Sequence, residues 1–185
     1  MQNRGVKDIL IACIDGLKGL PDAIKVAFPD VSIQLCIIHM IRNSIKYIPS
    51  SHSKEFINDL KDIYKASTEE IAYLSLEKLQ EKWGVKYILA VKPWLVHWEN
   101  AKTFFAFPEQ IRSLIYTTNA VESVHRQLRK VTKSKAIFPT DEALTKMLFL
   151  AIRDISKKWT LPLPAWKTII SHLSIVYGDR LRLDQ

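Results

Sequence analysis

Two short apolar runs near the amino terminus restrict the fold more than any other feature of the chain. Residues 9–14 read Ile-Leu-Ile-Ala-Cys-Ile and stop at Asp15-Gly16, and residues 31–38 read Val-Ser-Ile-Gln-Leu-Cys-Ile-Ile. Each has the length of a strand and falls far short of the roughly 20 residues a membrane-spanning helix needs. Between them, Ile24, Ala27 and Phe28 recur at helical spacing behind Pro21, a residue suited to a first helical turn, and Pro29-Asp30 breaks the pattern. Strand, helix and strand within about 30 residues predict a βαβ unit and therefore a parallel pair, since parallel strands need a crossover.

After His39 the period changes. Phe56, Leu60, Ile63 and Tyr64 fall on one helical face, and Ile71, Leu74 and Leu79 on another. Thr68-Glu69-Glu70 reads as a helix start with acids in the first turn. Further helices are predicted over 94–105, 119–133, from Thr140 onward with Leu144, Leu148, Ala151, Ile152 and Ile155, and over 166–177, with Pro162 and Pro164 as an interruption. The expected class is α/β: an α/β start followed by mostly helical chain. At 185 residues it has the size of about one domain.

Composition adds one strong hint. The net charge is +8, yet residues 46–110 are neutral and residues 111–158 carry ten Lys or Arg against four Asp or Glu. A localised basic field favours a polyanion, nucleic acid above all, although a basic surface with no specific partner would look the same. Two cysteines, Cys13 and Cys36, give no disulfide framework and fit a reducing cytoplasm. The start of the chain does not read as a signal peptide.

Several residues carry candidate chemistry. Asp15 ends a predicted parallel strand, the edge where open α/β sheets place their sites; it suits either a turn or a divalent cation that wants oxygen ligands. Glu122 fits a capping box with Asn119, and it also shares a helical face with His125, Arg126 and Arg129. A carboxylate beside two arginines suits a metal next to a phosphate chain. Lys130, Lys133 and Lys135 extend the positive strip. Cys36-Ile-Ile-His39 has half the spacing of a zinc site, but no second pair completes it, and a buried Cys explains it equally. No glycine-rich phosphate loop and no serine-nucleophile elbow is present, so neither a nucleotide cofactor nor a serine hydrolase is expected.

Asp15-Gly-Leu-Lys-Gly19, Cys36-Ile-Ile-His39, Tyr116-Thr-Thr-Asn-Ala-Val-Glu-Ser123 with Arg126 and Arg129-Lys130, residues 133–143, Ile155-Ser-Lys-Lys-Trp159 and Tyr177-Gly-Asp-Arg180 together resemble the Mutator-type transposases of bacterial insertion sequences. The resemblance implies an RNase H-like core with three catalytic acids and an all-helical insertion between the second and third. Asp15 then matches the second acid and Glu122 the third. Cys36, His39 and Asn119 match signature positions, and Trp98 matches an insertion-domain tryptophan at the DNA. The implied division is 1–39 for the second half of the core sheet, 40–110 for the insertion, 111–158 for core helices with the third acid and basic strip, and 159–185 for a C-terminal helix.

The same resemblance implies Mg²⁺ or Mn²⁺ as cofactor, DNA as partner, a homo-oligomer, and a location in the cytoplasm at the nucleoid with no membrane. Two metals about 4 Å apart are the usual arrangement for such phosphoryl transfer. The chain departs from the family at its start: only Asp8 precedes Asp15, on the same strand, so the first acid has no counterpart. The expectation is therefore a transposase truncated at the amino terminus and inactive alone. The alternatives are a non-enzymatic DNA-binding or dimerising fragment and an unrelated metal nuclease.

Overall fold

A computed structural model describes residues 2–116, 119–133, 137–160 and 165–181. The expected βαβ start is present. Strand β1 is Ile11–Ile14, helix α1 is Leu20–Ala27, and strand β2 is Ser32–Leu35. The strands pair in parallel, with Ile11 opposite Ser32 and Ile14 opposite Leu35. Gly16 and Gly19, at φ of 85° and 79°, make the turn from β1 into α1, a left-handed conformation that favours glycine. Ile14, Phe28, Val31, Ile33 and Leu35 form the buried cluster under the sheet, with Leu20 and Ile24 of α1 packed against it.

The second apolar run divides differently from the expected strand over 31–38. The last rung of the ladder is the Cys36 amide donating to the Ile14 carbonyl at 2.7 Å, and Met40 N then donates to Cys36 O. Cys36 therefore caps a helix, α2 (Ile37–Ile45), and Ile37 is buried from that helix. His39 lies in its first turns and not at a strand end. An apolar run cannot reveal where the hydrogen-bond partner of its last residues changes.

The helices that follow are α3 (Ser50–Tyr64), α4 (Glu69–Trp83), α5 (Ile88–Val96), α6 (Trp98–Ala101), a 3-10 turn over Lys102–Ala106, and α7 (Glu109–Tyr116). On α3 the predicted face holds, with Phe56, Leu60 and Ile63 at 0–1% exposure. On α4 the predicted face is rotated. Ile71 and Leu74 are exposed, while Ala72, Leu76, Leu79 and Trp83 are buried. The small Ala72 lets α3 and α4 approach closely, and Trp83 meets Phe56 edge to face at 5.7 Å. The single helix expected over 94–105 is instead three short pieces. Pro93 sits inside α5, where it donates no hydrogen bond, and the helix ends at Val96.

Three polar devices hold this helical stretch. Thr68 caps α4 by accepting from Ile71 N at 3.4 Å. Buried Ser44 donates to the Ala90 carbonyl at 2.8 Å and accepts from Trp94 Nε1 at 2.9 Å. Arg112 spends its guanidinium on main-chain carbonyls, those of Ala66, Ser67, Phe105 and Phe107, and lies over the Phe105 ring. Burial lowers the Arg112 pKa, partly offset by Glu109.

The chain separates into two compact units. The first comprises residues 1–117 and 171–185, so sheet and helices α2–α7 share one body. The second comprises residues 118–170. It contains α8 (Asn119–Thr132) packed on α9 (Asp141–Ser156), with Thr140 capping α9 by accepting from Ala143 N at 3.2 Å. Helix α10 (Trp166–Tyr177) crosses the boundary. The interruption expected at Pro162 and Pro164 lies outside the described residues.

Candidate functional site

Asp15 follows the last residue of β1, at the carboxyl edge of the parallel pair. It is exposed, and among the described residues no ion pair engages it. Its position follows from the local sequence. The apolar run ends one residue earlier, and Gly16 turns the chain away, so the carboxylate is left at the rim with water on it.

Glu122 lies in the first turn of α8, in the second unit, partly buried. The capping box expected from Asn119 rests on a side chain outside the described residues. Helix α8 is sharply two-faced. Val124, Leu128 and Val131 are partly buried, at the i, i+4, i+7 spacing of one helical face. His125, Arg126, Arg129, Lys130 and Lys133 lie on the more open side of the helix and its end. Among the described residues no salt bridge uses any of these five basic side chains. A positive strip without internal carboxylate partners keeps its charge available to a polyanion. Lys135 lies outside the described residues.

The two carboxylates thus stand in different compact units. Among the described residues no group of three His, Cys, Asp or Glu side chains gathers as a metal site. The donor chemistry of Asp15 and Glu122 is right for a hard divalent cation, which takes carboxylate oxygens, but two residues do not make a full ligand set.

Two signature residues lie next to β2. Cys36 is buried at the start of α2 and His39 is partly buried one turn on. Cys13, one strand over, is exposed as a residue, yet burial, helped by Cys36, pushes its thiol up to about 11. Trp98, expected at the DNA, is 8% exposed and packs edge to face on Tyr73 at 5.6 Å, with Phe105 beyond. Its ring belongs to the helical core.

One constellation escapes sequence reasoning. Arg180, just past α10, makes a forked pair with Asp8 through Nε at 3.0 Å and Nη2 at 2.9 Å, and Nη1 donates to the Asp30 carbonyl at 2.8 Å. Asp8 and Arg180 are 172 positions apart. Tyr177-Gly-Asp-Arg180 is visible as a motif, but nothing local in a sequence signals a partner so distant.

Comparison with known proteins agrees with the sequence pattern. The family described as "Transposase, Mutator family" matches residues 1–161. A probable transposase for insertion sequence element ISRM3-like of Sinorhizobium fredii is 39% identical over 97% of this chain and 45% of its own length. The transposase for insertion sequence element ISRM3 of Rhizobium meliloti is 38% identical over the same shares. A probable insertion-sequence transposase of Corynebacterium diphtheriae is 34% identical over 97% of this chain and 58% of its own. The chain spans about half the length of these relatives.

Proposed function

The chain belongs to the Mutator family of transposases, and from that premise we propose that it is the carboxyl-terminal part of the catalytic domain of an insertion-sequence transposase. In this reading β1, α1 and β2 belong to an RNase H-like core, Asp15 and Glu122 are two of its catalytic acids, and the helices from α2 to α7 are the insertion. The observation that carries the reading is the carboxylate of Glu122 on the same helix as a strip of basic side chains that no described acid neutralises.

The division of labour follows from charge. Arg126 and Arg129 offer planar forks that match nonbridging phosphate oxygens, and Lys130 and Lys133 add point charges along the backbone. Together they orient duplex DNA along α8 with Glu122 at its amino-terminal end. Asp15 and Glu122 would each offer carboxylate oxygens to Mg²⁺ or Mn²⁺, which would supply the Lewis acidity that phosphoryl transfer needs. On this reading the basic strip binds duplex DNA.

No helix among the described residues is long and apolar enough to cross a membrane. A homo-oligomer is proposed from the family alone.

Duplex binding measured by fluorescence anisotropy across a salt series tests the strip. Changing Arg126, Arg129, Lys130 and Lys133 to Ala should flatten the log–log salt slope by about 3–4, at roughly 0.9 for each phosphate no longer neutralised. An unchanged slope moves the DNA elsewhere. Strand cleavage in Mg²⁺ or Mn²⁺ that disappears in Glu122→Ala would support the role of Glu122, and cleavage that persists would overturn it.

A further inference from the structure

The sheet beside Asp15 should not stand by itself. Among the described residues it has two strands of four residues each, and an isolated two-stranded sheet is marginal in water. A slip of one residue between such strands would turn every side chain to the opposite face. Burial of one face specifies the register, and a contact outside the ladder holds it further.

The pin is at the amino ends of both strands. Arg180 forks onto the Asp8 carboxylate, whose Oδ1 also accepts from Ile9 N at 2.7 Å, and so fixes the lead-in to β1. The same guanidinium donates to Asp30 O at 2.8 Å, on the lead-in to β2, and reaches Ile9 O at 3.4 Å. Its Cζ lies 5.4 Å from the centre of the Tyr177 ring. The Tyr177 hydroxyl sits 3.4 Å from Leu10 O and 3.3 Å from Ser32 Oγ. Leu10 O is also the acceptor of the first rung, from Ser32 N at 2.9 Å. Tyr177 itself is fixed by stacking on Phe107 at 6.2 Å. One turn of chain therefore touches both strands at their first rung, and each of these bonds depends on the strands being in this register.

We infer that Tyr177 and Arg180 form a register pin for the β1–β2 pair, and that Arg180 is a positioning residue for the edge that carries Asp15. The link to the far end is the ladder. Its last rung, Cys36 N to Ile14 O, is adjacent to Asp15, and only four residue pairs separate it from the pin. The functional consequence rests on Asp15 being a metal ligand; the pin itself does not.

The test uses the whole chain and three local reporters. The first is amide exchange at Cys36, the second alkylation of Cys13 followed by peptide mapping, the third Mn²⁺-induced broadening of the Gly16 amide signal. Arg180→Ala should speed exchange and alkylation about tenfold, the scale expected when a local opening is released. Arg180→Lys, which keeps the charge and loses the fork, should recover only part of this. The thermal transition of α2–α7 should stay in place. Unchanged exchange and alkylation in a folded Arg180→Ala protein would overturn the pin. If that variant does not fold, Tyr177→Phe supplies the test, with an expected rise of about two- to threefold, and no rise there overturns the inference equally. Mn²⁺ broadening at Gly16 that is absent from the wild type, while exchange responds to Arg180→Ala, would refute the metal role of Asp15 and leave the pin standing. Broadening in the wild type that Arg180→Ala weakens supports both.

Discussion

Helices α3–α7 and the hairpin of α8 and α9 are built from similar material and finished differently. In the first, Phe56, Leu60, Ala72, Leu76, Ala90, Val91 and Trp94 are at 0% exposure. In the second, none of the described residues of α8 or α9 is buried. The first stretch is electrically neutral and spends its cations on itself: Lys82 pairs with Glu55 and Asp59, and Lys102 with Glu69 and Glu99. The basic strip of α8 makes no such pairs among the described residues. One region is organised to be a body, the other to present charge. Arginines left unpaired by neighbouring acids suit the proposed contact with DNA, and the helix keeps only a thin apolar seam.

The sharpest break of that comparison is a core deletion. Phe56→Ala should cost about 3–5 kcal/mol, the usual loss for a fully buried aromatic, and should displace the main thermal transition. Leu128→Ala on the seam of α8 should cost about 1 kcal/mol, since a half-exposed side chain loses less burial. Comparable losses at the two sites, read by denaturant titration, would show that the hairpin has a real core.

Arg112 gives the next largest effect. Arg112→Met removes donors from four carbonyls around Phe105 and Phe107, and should cost about 2–3 kcal/mol through unsatisfied acceptors. Arg129→Met, on the basic strip, should leave stability within about 0.5 kcal/mol while lowering duplex affinity. Loss of stability at Arg129 would mean that the strip has a structural duty.

These contrasts also show what a sequence can and cannot display. The βαβ start, the helix starts at Thr68 and Thr140, and the stripe of α3 are local signals, and the structure has them. The α4 face is hidden because Ile71 and Leu74 are larger and more apolar than Ala72, while packing selects the row that lets α3 come close. The end of β2 is hidden because Cys-Ile-Ile suits a strand and a helix alike. The positions of Asp15 after β1 and Glu122 in the first turn of α8, and the basic face, are legible from type and spacing, while the catalytic roles come from the family resemblance. Arg112 and Arg180 are not, because their acceptors are main-chain carbonyls and a carboxylate far off in sequence. No composition or periodicity encodes such partners.

The two threonine caps make a matched pair. Thr68 and Thr140 perform the same local task, each accepting from the amide three residues on, at 3.4 Å and 3.2 Å. Each Thr→Ala change should cost about 1 kcal/mol of helix stability. Thr68→Ala should lower the main transition, because α4 is locked into the body. Thr140→Ala should instead raise amide exchange in the first turns of α9 and leave that transition unmoved. Equal shifts in the main transition would unite the two regions into one cooperative unit.

Acid should produce the smallest effect and separate the regions once more. The Arg180 guanidinium, by its hydrogen bonds first and its charge as well, holds the Asp8 carboxyl below the usual range, with burial opposing. A group whose folded pKa is depressed contributes stability above its unfolded pKa and loses it as pH falls through the folded one. The pin should therefore be intact from neutral pH to about pH 5 and should weaken below about pH 4. Because both partners are partly exposed, at 30% and 40%, the loss should be only a few tenths of a kcal/mol. In the hairpin, Lys157 similarly lowers Asp154, but that pair lies within one helical turn and ties nothing distant. Faster exchange at Cys36 below about pH 4, with the α8–α9 amides unaltered, would mark Asp8 as a tie between remote parts of the chain. Parallel acceleration in both places would reduce it to one more surface ion pair.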